Sequence, residues 1–139
     1  MELTTNALQT VASNANVIFN DTAVKGNCSI VHREGSGLVT LRGITNQCRA
    51  RFRVYFGGNV AIPTGGTAGP ITLAIAINGE AMGPTTMIST PAAVETFNNI
   101  STEVFLDVPS GCCYTISVTN LTAASISVQN ANLIVERVA

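Results

Sequence analysis

Apolar and polar residues alternate along most of this chain from residue 16 onwards, whereas the spacing typical of amphipathic helices is nearly absent. Because successive side chains of a β-strand point to opposite faces, this alternation predicts strands with one buried face. In the segment 50–56, for example, Ala50, Phe52, Val54 and Phe56 share one face. A chain dominated by such segments is restricted to all-β architectures.

Turn residues divide the alternating pattern into about ten short strands. Gly, Pro, Asn and Ser occupy the intervals, and Asn78-Gly79 is a strong signal for a two-residue hairpin turn. Short strands without crossover helices predict an antiparallel sandwich or barrel, and 139 residues suit a jelly-roll sandwich of two sheets. The predicted strands cover residues 16–19, 28–32, 37–42, 50–56, 58–62, 71–77, 86–89, 102–108, 113–118, 124–129 and 132–138.

The length of 139 residues predicts one domain, because it leaves no room for a second hydrophobic core. Residues 1–15 lack the alternation and mix Thr, Asn, Gln and Ala. We expect them to form an N-terminal arm or docking segment, either flexible or a short helix, and residues 16–139 to form the jelly roll. The interior positions on which the fold should depend are Phe52, Val54, Phe56, Leu73, Ile75, Leu106, Ile116, Val118 and Val135.

The chain carries few charges: 11% of its residues are charged, against ~25% in soluble domains, and 46% are hydrophobic. This apolarity excludes intrinsic disorder, and the net charge of −1 excludes nucleic-acid binding that depends on neutralising phosphates. A nearly uncharged polar surface also favours association. We therefore expect a subunit that covers much of its surface with copies of itself; a weakly charged monomer is the alternative.

Residues for targeting, catalysis or cofactor binding are scarce. The chain begins without the pattern of a signal peptide, and no run approaches the ~18 apolar residues of a membrane helix. The single histidine, His32, ends a predicted strand, where a hydrogen-bonded surface role is more typical than catalysis. Glu103 and Asp107 are four residues apart on one strand, about 13–14 Å, which is too far for a two-carboxylate glycosidase. We predict a non-enzymatic protein without a metal or cofactor, and no nucleic-acid or membrane partner.

One charge pattern predicts a contact surface. Arg49, Arg51 and Arg53 fall on one face of their strand, and the acidic residues Glu103 and Asp107 fall on one face of another. Opposite charges that face each other across strands or subunits determine register and partner choice. We predict that these five residues pair within a subunit or between subunits.

Two further segments predict contact between copies. In 71–77 the small residues Thr72, Ala74 and Ala76 share one face, which tolerates close approach of another surface. The segment 132–138 is apolar on both faces, and a strand of this kind is normally covered on both. We therefore include Thr72, Ala74 and Ala76 in the predicted subunit interface.

The four cysteines allow three pairings. Cys28, Cys48, Cys112 and Cys113 lack the spacing of a zinc site, and the simplest interpretation is that they are small buried hydrophobic residues. A Cys28–Cys48 disulfide and an intersubunit bond through the adjacent pair are the alternatives.

Four segments carry a resemblance to known proteins: 32–37 (HREGSG), 45–54 (TNQCRARFRV), 111–116 (GCCYTI) and 128–139 (VQNANLIVERVA). They resemble small structural proteins encoded by bacteriophages and prophages of clostridia-like gut bacteria. The number of strands, the Gly-rich turns and the final apolar strand also resemble the trimeric jelly rolls of the tumour-necrosis-factor (TNF) and complement-C1q type.

The resemblance implies a virion component, namely a capsid decoration or head-fibre protein that assembles as a homotrimer on the phage particle. Its partners would be copies of itself and a phage capsid or other virion protein, and assembly would occur in the bacterial host cytoplasm. The alternative is a receptor- or glycan-binding tip or adhesin domain of a phage or bacterial surface filament. Tyr55, Tyr114 and the loops at 63–70 and 78–85 are the candidate residues for that alternative.

Overall fold

The computed structural model describes all 139 residues as two antiparallel β-sheets whose inner faces enclose one hydrophobic core. The strands are β1 (Glu2–Thr5), β2 (Gln9–Val11), β3 (Asp21–Val24), β4 (Ile30–His32), β5 (Val39–Arg42), β6 (Arg49–Ala61), β7 (Ile71–Ile77), β8 (Glu80–Ala81), β9 (Met87–Ser89), β10 (Asn98–Pro109), β11 (Cys113–Asn120) and β12 (Ile126–Arg137). A 3-10 turn over Gly83–Thr85 is the one helical element, and no helix is long and apolar enough to cross a membrane.

The strands form two sheets that together make a sandwich. Sheet A has the order β10-β6-β12-β1-β3, with β2 also paired to β12. Sheet B has the order β4-β5-β11-β7-β8, with β9 also paired to β7. Every predicted interior residue is buried between the two sheets, and the rings of Phe19 and Phe56 meet edge-to-face at 6.3 Å. The prediction of an all-β antiparallel jelly-roll sandwich is confirmed.

The first fifteen residues belong to the sandwich, so the predicted arm over 1–15 is wrong. β1 pairs with β12 along its whole length, β2 pairs with the start of β12, and Leu3 is fully buried. Thr5 is buried as well, and its hydroxyl donates to the Ile18 carbonyl and accepts from the Asn20 amide. Alternation is weak here because threonine and glutamine take positions that apolar residues hold in the longer strands.

Two long strands, β6 and β12, stand where the sequence predicts two pairs of shorter ones. β6 continues through Gly57 and Gly58, and a Cβ atom at Gly57 would lie only 2.8 Å from the Tyr55 hydroxyl oxygen. β12 continues through a register shift after Gln129, where Asn130 adopts a left-handed φ of 57°. Asparagine tolerates this conformation better than most residues, which explains its place at a bulge.

The end of β7 confirms the predicted hairpin. Asn78 and Gly79 have φ of 52° and 86°, and the flanking residues pair between β7 and β8. Left-handed conformations at both central positions define a type I′ turn.

The small-residue face of β7 is already covered within one chain. Ala74 and Ala76 are 0% and 1% exposed, and the Thr72 amide and carbonyl both bond to the Thr122 hydroxyl. Across the strand pair, Thr119 and Ser117 of β11 lie opposite Ala74 and Ala76. The prediction of contact with a second copy is therefore wrong for Ala74 and Ala76. Thr72 is half-buried, and its contact with a second copy stays a prediction.

All four cysteines are exposed and free. Cys28, Cys48, Cys112 and Cys113 lie in or beside the loops at one end of the sandwich, where Gly43 donates to the Cys112 carbonyl and Ser110 donates to the Cys48 carbonyl. The prediction of buried cysteines is wrong, and the structure does not contain the Cys28–Cys48 disulfide.

Candidate functional site

The outward face of sheet A carries the most organised set of exposed side chains in the molecule. Along β6, alternate residues from Arg49 to Asn59 point away from the core, and they form three successive parts. Charged residues occupy the first part, aromatic and aliphatic residues the second, and asparagines the third. β10 and β12 flank β6, and the charged and apolar parts overlap on β10, where Phe105 lies opposite Arg53 and Glu103 lies opposite Tyr55.

The first part is a charged ladder that crosses three strands. Arg51 Nε lies 2.8 Å from Asp107 Oδ1, and Arg49 Nε lies 3.2 Å from Asp107 Oδ2. Arg53 lies between two carboxylates, with Nη1 at 3.4 Å from Glu103 and Nη2 at 3.3 Å from Glu136. The charged ladder therefore consists of Arg49, Arg51, Arg53, Glu103, Asp107 and Glu136.

The ladder confirms that the predicted arginines and acids pair within one subunit. The hydrogen bond from Arg51 holds the pKa of Asp107 below its usual value and raises the pKa of Arg51. Both side chains are exposed, so water screens the attraction and the contribution to folding stability is small. The ladder leaves this end of the face with its charges already neutralised.

The second part is an apolar patch made of Tyr55, Phe105 and Ile134. Tyr55 and Ile134 are neighbours across β6 and β12, and Phe105 follows on β10, opposite Arg53. Phe105 is 59% exposed. The Tyr55 ring lies low over Gly57, because that position has no Cβ atom to lift it. Tyr55 and Ile134 are half-buried, so Phe105 is the most exposed member of the patch.

The third part is an asparagine strip made of Asn6, Asn59, Asn99 and Asn130. Asn99 Nδ2 donates to Asn59 Oδ1 at 3.2 Å, and Asn59 Nδ2 donates to Asn130 Oδ1 at 3.0 Å. Asn130 Nδ2 in turn donates to Asn6 Oδ1 at 2.6 Å. The strip crosses sheet A from β10 to the turn that follows β1.

An apolar edge adjoins this face. β10 is the outermost strand of sheet A, so one side of its backbone has no strand partner. The Asn98 amide bonds to Ser89 on β9, which brings the edges of the two sheets together. On this side Ile88 is 67% exposed and Phe97 is 43% exposed. Unpaired edges with apolar residues are typical sites of association.

Other candidate residues are less organised. His32 Nε2 bonds to the Ser36 carbonyl, and no group of three or more His, Cys, Asp or Glu residues is arranged to hold a metal ion. A shallow depression of about 370 Å³ brings Tyr114 beside Asn78, Glu80 and Met82. This depression joins Tyr114 to the predicted 78–85 loop, whereas Tyr55 lies on the other sheet.

Sequence reasoning missed half of this face. Period-2 spacing identified the three arginines and their acidic partners, but Glu136, Phe105 and the asparagine strip depend on which strands are neighbours. The order β10-β6-β12 joins segments that are far apart in the chain, and no local pattern encodes it. The sequence carries one signal of a covered outer face: Ile134 points outward, which makes the last strand apolar on both faces.

Comparisons with known proteins agree on the fold. No protein-family model and no curated protein matches the chain. Solved structures do: the globular domain of zebrafish complement 1qA protein matches with a TM-score of 0.63 and 12% identity, covering 96% of this chain and 93% of that chain. Eiger TNF from S. frugiperda gives 0.71 and 11% identity, covering 100% and 92%. Murine APRIL gives 0.59 and 10%, covering 97% of each chain.

The chain has the TNF/C1q-like jelly-roll fold. At these identities the similarity concerns the fold alone, and the outer face of sheet A has to be interpreted from its own residues.

Proposed function

We propose that this chain is a non-catalytic structural module that assembles as a homotrimer through the outer face of sheet A, and that it decorates a phage capsid or forms part of a head fibre. The observation that carries the proposal is the apolar patch of Tyr55, Phe105 and Ile134. Phe105, on the outermost strand of the sheet, is 59% exposed, and such an aromatic side chain gains free energy when another surface covers it.

The charged ladder makes this face suitable for burial against a copy of itself. Each of its arginines already has an acidic partner within the chain. A second copy can therefore approach without leaving an unpaired charge behind, which is the main electrostatic cost of burying ions.

The apolar edge supplies the complementary surface. Ile88 and Phe97 lie beside β10 at the side of the sandwich, whereas the patch lies on the outer face of sheet A. When the edge of one copy packs on the face of the next, the contact joins two different surfaces, and repetition around an axis closes a ring. The trimeric jelly rolls that the sequence resembles support a ring of three.

The phage assignment rests on the resemblance of the segments 32–37, 45–54, 111–116 and 128–139 to phage structural proteins. The low content of charged residues, 11%, also suits a subunit that stays assembled.

Size-exclusion chromatography with light scattering tests the assembly. We expect the wild-type chain of 14.4 kDa to elute at three times that mass, and Phe105→Glu to elute as a folded monomer. The matched control is Val31→Glu, because Val31 is also an exposed strand residue, 48% accessible, but lies on β4 of sheet B. A wild-type monomer at high concentration would contradict the proposal, and so would a trimer that Phe105→Glu leaves intact.

The capsid role needs a separate measurement. Purified trimer is mixed with empty capsids of a phage that encodes this chain and is followed by sedimentation and electron microscopy. Regularly spaced density on the capsid surface is expected, and trimers that stay in the supernatant would contradict decoration.

A second candidate function is a glycan- or receptor-binding tip, favoured by the depression at Tyr114. Its lining combines an aromatic ring with the amide of Asn78 and the carboxylate of Glu80. Sugars bind to such combinations of a flat apolar surface and planar polar groups. Glycan-array binding that Tyr114→Ala abolishes would establish this function, and an array without signal would argue against it.

A further inference from the structure

The asparagine strip has two free ends of opposite hydrogen-bonding character. Every amide in it donates in the same direction, from Asn99 through Asn59 and Asn130 to Asn6. At the β10 end, Asn99 Oδ1 accepts no hydrogen bond, and at the other end Asn6 Nδ2 donates none within the chain. An amide carries both donors and an acceptor, so a row of amides can be extended indefinitely at either end.

We infer that the strip continues from one copy to the next, with Asn6 of one chain donating to Asn99 of its neighbour, so that the strips of three copies form a closed ring of amides. This inference rests on the proposed trimer and names the residues that meet across its interface. Both end residues are exposed in the single chain, so a second copy can reach them.

The positions of the two ends suit a head-to-tail contact. Asn99 lies on β10, the edge that carries the exposed apolar residues, and Asn6 lies beyond β1, across β6 and β12. Three strand spacings of about 4.8 Å separate them, so roughly 14 Å of sheet lies between the two ends within a chain. In the proposed ring, the β10 edge of one copy packs on the outer face of sheet A of the next, and we place its Asn99 beside the neighbour's Asn6.

The two ends of the strip stay complementary to each other whichever way the side-chain amides are oriented. Rotating all four side-chain amides by half a turn reverses the direction of donation, and the ends remain one donor and one acceptor. A two-fold dimer with the strips antiparallel would also join unlike ends, because in such an interface residue i contacts j while j contacts i. The complementary ends therefore fit a ring of three, and the number of chains that become cross-linked distinguishes the ring from a two-fold dimer.

A polar row inside an apolar interface selects one arrangement. The apolar patch can slide against other apolar surfaces at little cost, whereas a displaced strip leaves amide groups buried without partners. Single buried asparagines fix register and copy number in coiled coils by the same principle. The expected role of the strip is to determine the register and number of copies, rather than to add affinity.

Paired cysteine cross-linking tests the contact. The four native cysteines, which are all exposed, are first replaced by serine. Asn6→Cys and Asn99→Cys are then introduced together and singly, and each protein is oxidised with oxidised glutathione. A disulfide requires Cα atoms within about 7 Å, so the two new cysteines cannot join within one chain. We expect a covalent three-chain species from the double variant on non-reducing gels, and only uncross-linked chain from each single variant.

The outcomes separate this inference from the proposed function. A trimer by light scattering that forms no cross-link in the double variant overturns the ring and leaves the trimer standing. A covalent two-chain end product also overturns the ring, because a closed ring of three joins every chain to two others. A monomer by light scattering overturns both proposals.

A second pair of variants keeps the test independent of disulfide geometry. Asn6→Lys and Asn99→Asp each remove an amide end, and together they place opposite charges at the same contact. We expect each single variant to weaken association and the double variant to restore it. Additive effects in the double variant would contradict direct contact. Because the strip links the two sites within one chain, the same pair of variants in the Phe105→Glu monomer measures that internal coupling, which is subtracted.

Discussion

Replacing Phe105 by alanine separates the stability of the chain from the stability of its assembly. Burying a whole phenylalanine side chain contributes about 1.5–3 kcal/mol. Because 59% of Phe105 is accessible in the single chain, a neighbour that covers it completely would gain about 1–2 kcal/mol per copy. Phe105→Ala loses this free energy, so the dissociation constant of each contact should rise by a factor of about 5–30. Within the monomer, the same change should alter the free energy of unfolding by less than about 0.5 kcal/mol, as for most exposed positions.

Urea unfolding over a range of protein concentrations measures both quantities. Unfolding that is coupled to dissociation has a midpoint that rises with concentration, and the midpoint of a monomer does not. Phe105→Ala should lower the midpoint most at high concentration, where the wild-type chain is assembled, and hardly at all at high dilution. An equal loss at all concentrations would mean that Phe105 stabilises the single chain, and the assignment of the apolar patch to the interface would be refuted.

The remaining predictions concern the interior and the ladder. Phe56→Ala removes a fully buried ring packed against Phe19 and should cost about 3–5 kcal/mol at every protein concentration in urea unfolding, in contrast to Phe105→Ala. Asn120→Ala should cost about 3 kcal/mol or more in the same assay, because the buried amide donates to three backbone carbonyls, including that of Val11. Asp107 has a lowered pKa in the folded chain, so the stability that it contributes is present at neutral pH and is lost as the pH falls below about 3.8. The difference in unfolding free energy between wild type and Asp107→Asn should therefore shrink on acidification, and a difference independent of pH would contradict the pairing with Arg51.

The long central strands show how much of the fold local pattern can reveal. The segments 50–56 and 71–77 alternate strictly, so β6 and β7 could be predicted from the sequence together with their buried faces. The sequence predicts separate strands over 50–56 and 58–62 because glycine commonly marks a turn, whereas in the folded chain Gly57 lies within β6 and leaves room for Tyr55. β1 was missed because its partner β12 lies some 130 residues further along the chain, beyond the reach of any local period.

The candidate site on the outer face of sheet A was only partly predictable for the same reason. Three arginines at period 2 and a pair of acids define a charged surface wherever the strands are placed. Tyr55 pairs with Ile134 only because β6 lies beside β12. Asn59 bonds to both Asn99 and Asn130 only because β6 lies between β10 and β12. Cysteine exposure was not predictable from residue type, because a free cysteine is stable both in a core and in a loop.

The central place of β12 in sheet A has a consequence for synthesis on the ribosome. β12 lies between β6 and β1, so these two strands have no direct contact and cannot join into one sheet until residues 126–137 have been made. Sheet B, in contrast, is built from strands that precede β12. A nascent chain therefore completes the outer face of sheet A last. In the proposed assembly this order delays contact between half-made copies on neighbouring ribosomes until each can fold as a whole.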